Sequence, residues 1–201
     1  MDEVPLKSYC DFAPGHPFHG PYHEREYGFP LADDDALFER LVLEINQAGL
    51  SWLTILKKRE AFRRAYDGFA VDRVAAYGDA ERARLLADAG IVRNRLKIEA
   101  TIDNAKAYLA LRERTSLAAF LWGLLDGRAL QNRFAKHGEI PAQTDASVRL
   151  SKALKKEGFR FVGPTTVYAF MQSVGMVNDH LADCHRHGPC AKAQARFKRP
   201  R

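Results

Sequence analysis

Ala153-Leu154-Lys155-Lys156-Glu157-Gly158-Phe159-Arg160-Phe161-Val162-Gly163-Pro164-Thr165-Thr166 is the stretch that decides the fold. A helix running through Ala153 to Glu157 stops at Gly158, and a second begins after Gly163 and Pro164, because glycine suits a helix end and proline a first helical turn. Two helices joined by so short a glycine turn form a helix-hairpin-helix pattern. Glycine lets the backbone approach a phosphate, the new helix offers unpaired N–H groups to an anion, and Lys155 and Lys156 add charge nearby. On spacing alone an ordinary helical connection, with Gly as stop and Pro as start, stays open.

Working outward, helical periodicity dominates. Helical spacing sets in from Asp33 onward, with Asp33 to Asp35 suited to a helix start and Leu37, Leu41 and Ala48 on one face, and Gly49 ends that helix. Ser51 caps the next, which runs through Trp52, Ile55, Leu56 and Phe62 toward Gly68 with the basic cluster Lys57, Lys58 and Arg59. Further helices are predicted over Val71 to Tyr77, Glu81 to Ala89, Asn94 to Arg114, Leu117 to Leu125 and Ser147 to Glu157. No stretch has strand character, so the predicted fold class is all-α. The first thirty residues, with Pro14, Gly15, Pro17, Gly20, Pro21, Gly28 and Pro30, read as an ordered loop that something must pin down. Gly127 to Asp145 reads as a long loop, and the basic segment from His185 to Arg201 as a frayed tail.

With 201 residues the chain suits one core and one domain, or one domain with a small helical subdomain. It is 46% hydrophobic and 28% charged, ordinary for a globular protein. No apolar run approaches the roughly 18 residues of a membrane span. The acidic start at Asp2 and Glu3 has no apolar stretch after it, so no secretory signal is expected and the cytoplasm is the expected compartment. A net charge of +6 and a pI near 9.3 suit an anionic partner such as nucleic acid. Three cysteines, an odd number, argue against a disulfide framework and for free thiols or metal ligands.

Two groups of residues invite chemistry. Glu44 shares the apolar face of Leu37, Leu41 and Ala48, where a carboxylate is either paired or used; burial would raise its pKa and fit it for acid/base work or for accepting from a base's amino group. The plain alternative is a boundary glutamate leaning into solvent. Trp52 can line the same pocket, or serve as core. His180 and Cys184, four apart, would share one face of a helix as two tetrahedral zinc ligands require, with Cys10 and His23 available to complete the set and tie down the amino-terminal loop. A local set of Cys184, His185, His187 and Cys190 competes with this, as does no metal at all.

Taken together, Tyr22-His23-Glu24-Arg25-Glu26-Tyr27-Gly28-Phe29-Pro30, Leu43-Glu44-Ile45-Asn46-Gln47-Ala48-Gly49-Leu50-Ser51-Trp52, Leu56-Lys57-Lys58-Arg59, Ala153 to Gly163 and Gly175-Met176-Val177-Asn178-Asp179-His180 closely resemble the DNA-3-methyladenine glycosylase I family. The likeness runs from about Cys10 to Cys184, so residues 1–184 are expected to form one glycosylase domain and 185–201 a tail. The resemblance implies a helix-hairpin-helix glycosylase fold whose two chain ends are stapled by a structural zinc on Cys10, His23, His180 and Cys184. It also implies a base pocket with Glu44 as the catalytic carboxylate beside Tyr22 and Trp52. DNA contacts would come from Gly49 and Leu50, which enter the base stack after the nucleotide flips out, and from Lys155, Gly158, Gly163 and Thr165 at phosphates. The implied activity is monofunctional release of 3-methyladenine from alkylated duplex DNA by a monomer.

This sequence departs from the family pattern at four places. Phe12 and His19 stand at pocket positions where the family usually has a Trp and another aromatic. Tyr27 replaces a usual Trp, and Ile45 a common Gly, so the range of bases accepted is less constrained than the fold. Asp179 is the rival catalytic carboxylate, or a helix-start residue beside His180. A noncatalytic DNA-binding module and a glycosylase for a different damaged base are the competing functions.

Overall fold

The computed structural model describes residues 8–198 and 200; the acidic start at Asp2 and Glu3 lies outside them. The chain is mostly helical, and Ser51 caps its helix as predicted. Ser8, Asp33, Ser51, Asn94, Ser116 and Thr144 each accept a backbone N–H at the head of a helix, satisfying groups a helix start leaves unpaired. The helices are α1 (Tyr9–Phe12), α2 (His19–Arg25), α3 (Asp34–Gln47), α4 (Trp52–Ala65), α5 (Val71–Ala75), α6 (Asp79–Ala87), α7 (Arg95–Arg112) and α8 (Leu117–Gly123). After β1 (Leu130–Gln131) come α9 (Asp145–Lys156), α10 (Pro164–Ser173), β2 (Val177–Asn178) and α11 (His187–Arg196).

The core holds α3 at its centre. Phe38, Phe62, Tyr66 and Phe69 are fully buried, with the Tyr66 ring nearly parallel to both Phe62 and Phe69 at centroid distances of 6.2 and 5.7 Å. Asp34 in the first turn of α3 also caps α8, accepting from the backbone N–H groups of Leu117 (3.1 Å) and Ala118 (2.8 Å). The α9 to α10 connection is pinned by Asn104 of α7, whose amide pairs with both backbone groups of Arg160 at 2.6 and 3.1 Å. Gly158 there has φ +90°, the left-handed conformation that favours glycine at a helix end.

Three expectations need correction. Two helices, α1 and α2, stand within the amino-terminal stretch predicted as loop: Pro21 sits in the first turn of α2, where its missing N–H costs nothing. A two-residue parallel pair, Leu130 with Val177 and Gln131 with Asn178, stands where no strand was predicted, being too short to leave a period-two pattern. The predicted frayed tail contains α11, which packs down: Cys190 and Gln194 are buried, and Phe197 lies on Trp122 at 4.3 Å between ring centroids. Gln194 there donates to the carbonyls of Gly28 (2.8 Å) and Gly175 (3.0 Å), interactions that composition cannot display.

Candidate active site and metal cluster

A cavity of about 460 Å³ opens between α2, α3, α10 and the segment around Ile140; Tyr9, Tyr22, Tyr27, Glu44, Trp52 and Tyr168 are among its lining residues. Tyr22 and Trp52 meet edge to face at 5.2 Å. Burial holds the phenols of Tyr9, Tyr22 and Tyr27 well above their ordinary pKa, so these walls are neutral and aromatic. Glu44 is only 5% exposed, and burial raises its carboxyl to about 7, with Arg40 and the Ser173 hydroxyl pulling back the other way. Arg40 lies over the Tyr22 ring, 5.2 Å from its centroid, and pairs with Glu26. A carboxylate poised near neutrality in an aromatic slot can accept a hydrogen bond from a flat polar ring.

Phe12 and His19, expected in this pocket, do not line it. They pack on each other at 5.3 Å, with Phe12 partly in solvent, and Tyr9 stands between them and the cavity, 5.3 Å from Tyr27. Tyr9, Tyr27, Tyr168 and Gln172 are lining residues that the sequence reading missed; only the Tyr27 position, next to Glu26 and Gly28, carried a signal. Thr165, expected at a phosphate, also touches the rim.

Gly49 and Leu50 form the turn between α3 and α4. Gly49 has φ +80° with open space around it, and Leu50 is 39% exposed. Lys155, Gly158 and Thr165 are exposed and Gly163 half-buried, at the α9 end and the α10 start.

Cys10, His23, His180 and Cys184 converge, with their ligand atoms within 4.8 Å of one another. Sγ of Cys184 is 3.5 Å from Nε2 of His23 and 3.6 Å from Nδ1 of His180, and Sγ of Cys10 is 3.8 Å from that same Nδ1. The other nitrogen of each ring is held, that of His180 by the Tyr27 carbonyl (2.9 Å) and that of His23 by Glu24 (3.0 Å). The spacing argument behind this set was wrong even though the residues meet: His180 to Cys184 is not helical. The competing local set does not assemble. Cys190 donates to the Gly28 carbonyl, His187 meets the Asn132 carbonyl, and His185 pairs with Glu24.

Fold and cavity together define a mostly helical protein with a cavity walled largely by aromatic side chains around a buried carboxylate. The chain belongs to the methyladenine glycosylase family, whose model matches residues 13–187. It is 44% identical over 176 residues to DNA-3-methyladenine glycosylase 1 of Escherichia coli (strain K12), covering 87% of this chain and 94% of that one. Among solved structures it is similar to a 3-methyladenine DNA glycosylase I with TM-score 0.85 and 46% identity, covering 88% of this chain and 97% of that one. It is similar also to a variant of 3-methyladenine DNA glycosylase I in complex with 3-methyladenine, with TM-score 0.84 and 34% identity, covering 96% of this chain and all of that one.

Proposed function

We propose that this chain is a monofunctional DNA-3-methyladenine glycosylase, which hydrolyses the bond between the damaged base and its sugar and leaves an abasic site. The observation that carries the reading is Glu44, a buried carboxylate in an aromatic cavity. Methylation at N3 makes the attached adenine cationic, so the bond breaks with its electrons passing to the base, which departs neutral while water adds to the sugar carbon and loses a proton to solvent. The protein therefore needs to unstack the nucleotide, hold the base against Tyr22 and Trp52, and accept from its amino edge with Glu44. Among the described residues, no lysine lines the cavity to serve as a lyase nucleophile.

Alkylated duplex DNA is the substrate, taken by a monomer in the cytoplasm. In this reading α9 and α10 act as the helix-hairpin-helix, with Lys155, Gly158, Gly163 and Thr165 at phosphates and Gly49 and Leu50 in the base stack. Cys10, His23, His180 and Cys184 hold a structural zinc. In support, a tetrahedral zinc with ordinary bond lengths sets sulfur and nitrogen about 3.6 Å apart, close to the spacings seen, and the anchored far nitrogen of each histidine fixes its ring as a ligand requires. The ion would supply a cross-link between the two ends of the domain.

The test is release of free 3-methyladenine from methylated duplex by the purified protein, beside Glu44→Gln and a metal-stripped sample. Release that falls steeply in Glu44→Gln supports the reading. Duplex binding without release, from folded and metal-loaded protein, replaces it with a binding module. Release of another base only, from a panel of damaged duplexes, points to a shifted substrate, for which Phe12 and His19 standing off the pocket give a reason.

A further inference from the structure

Asp179 is 1% exposed and does not line the cavity, yet it touches the cavity wall from behind. One carboxylate oxygen accepts from Oη of Tyr168 at 2.5 Å and from Nε2 of Gln172 at 2.7 Å; the other accepts from Nδ2 of Asn132 at 2.6 Å. Tyr168 and Gln172 sit one turn apart on α10 and both line the cavity. Asp179 follows Asn178 of β2, where the chain is registered against Gln131. Next comes His180, whose ring meets the carbonyl of Tyr27, a third wall residue. Three donors converge on this buried carboxylate, and the Tyr168 hydroxyl, itself buried, would otherwise be left unpaired away from water.

We propose that Asp179 is a positioning residue that braces the base pocket: its carboxylate fixes Tyr168 and Gln172 from behind the wall. The idea rests on the base-release reading, and it gives the rival carboxylate a role that includes no contact with the reacting sugar. Asparagine at 179 has a single acceptor oxygen where three donors meet, so the wall loosens while the pocket keeps its residues.

The experiment measures three quantities: binding of free 3-methyladenine by quenching of intrinsic fluorescence, affinity for undamaged duplex, and kcat and KM on methylated duplex. Asp179→Asn is expected to weaken free-base binding about tenfold and to raise KM more than it lowers kcat, with duplex affinity unchanged. Tyr168→Phe, which cuts one of the three bonds, should weaken base binding in the same direction but less. The double variant should bind base no worse than Asp179→Asn, because both act through one network. Wild-type base binding in Asp179→Asn with kcat lost would make Asp179 a catalytic carboxylate and overturn the proposal. Should Asp179→Asn fail to fold, Tyr168→Phe decides: base affinity within about twofold of wild type overturns the bracing. Failure of the wild type to bind or release the base would instead sink the base-release reading itself.

Discussion

The Lys97 ammonium reaches from α7 to the end of α3, 2.7 Å from the carbonyl oxygen of Ala48 and 2.8 Å from that of Asn46. It satisfies carbonyls that a helix end leaves unpaired and fixes the turn that presents Gly49 and Leu50.

Removing that charge leaves both carbonyls without their donor. Lys97→Met keeps the packing of the stem, so the loss is of two charge-assisted hydrogen bonds, about 2–3 kcal/mol in all. Urea denaturation should show this loss. Fluorescence anisotropy should show weaker duplex binding, with free-base affinity retained; equal duplex affinity would mean that the turn needs no such anchor.

Glu44 gives the protein a pH signature. Burial raises its carboxyl to about 7, so between the ordinary carboxyl range and that value the folded chain holds a proton that the unfolded chain has lost. Wild-type stability therefore falls as pH rises through this window. Glu44→Gln carries no such proton, and relative to wild type it should be up to about 3 kcal/mol more stable above pH ~8 and level near pH ~4. Base release by the wild type should rise through pH ~7 as the acceptor ionises, while Glu44→Gln stays low and flat. Urea titrations and release assays across pH check both.

The metal cluster predicts a stoichiometry. Atomic emission should find one zinc per chain, lost in His180→Ala and Cys184→Ala but kept in Cys190→Ser, whose sulfur bonds the Gly28 carbonyl. Chelation should lower the melting temperature by roughly 10 °C, because the ion joins segments far apart in sequence. Retention of metal in Cys184→Ala would show that other residues hold it.

Two glycines should respond in opposite ways. A Cβ at Gly175 would fall 2.3 to 2.5 Å from the backbone of Phe29 and Pro30, at φ +71°, so Gly175→Ala should cost about 3 kcal/mol or more, or not fold. Gly163 has φ −64° and open space where a Cβ would stand. Gly163→Ala should therefore melt like wild type within about 0.5 kcal/mol while binding duplex more weakly, because a methyl group keeps a phosphate away from the backbone. Unchanged duplex affinity would remove Gly163 from the DNA surface.

What the sequence by itself determined is what neighbours along the chain dictate. Asp33, Ser51 and Asn94 mark helix starts, Gly158 and Pro164 mark the α9 stop and α10 start, and the periodic face of Leu37, Leu41 and Glu44 puts that carboxylate inside, since capping and helical period act over a few residues. The resemblance favoured Cys10, His23, His180 and Cys184 over the local set, and these four do converge. Only the tertiary structure decided the rest. It put Tyr9 where Phe12 and His19 were expected, brought Tyr168 and Gln172 to the pocket with Asp179 behind them, turned the tail into a helix over Gly28, and joined His180 to Cys184 without a helix. Each of these depends on pairs more than six residues apart, or on a backbone path that no local period records, so its energy appears only once distant segments pack and exclude water.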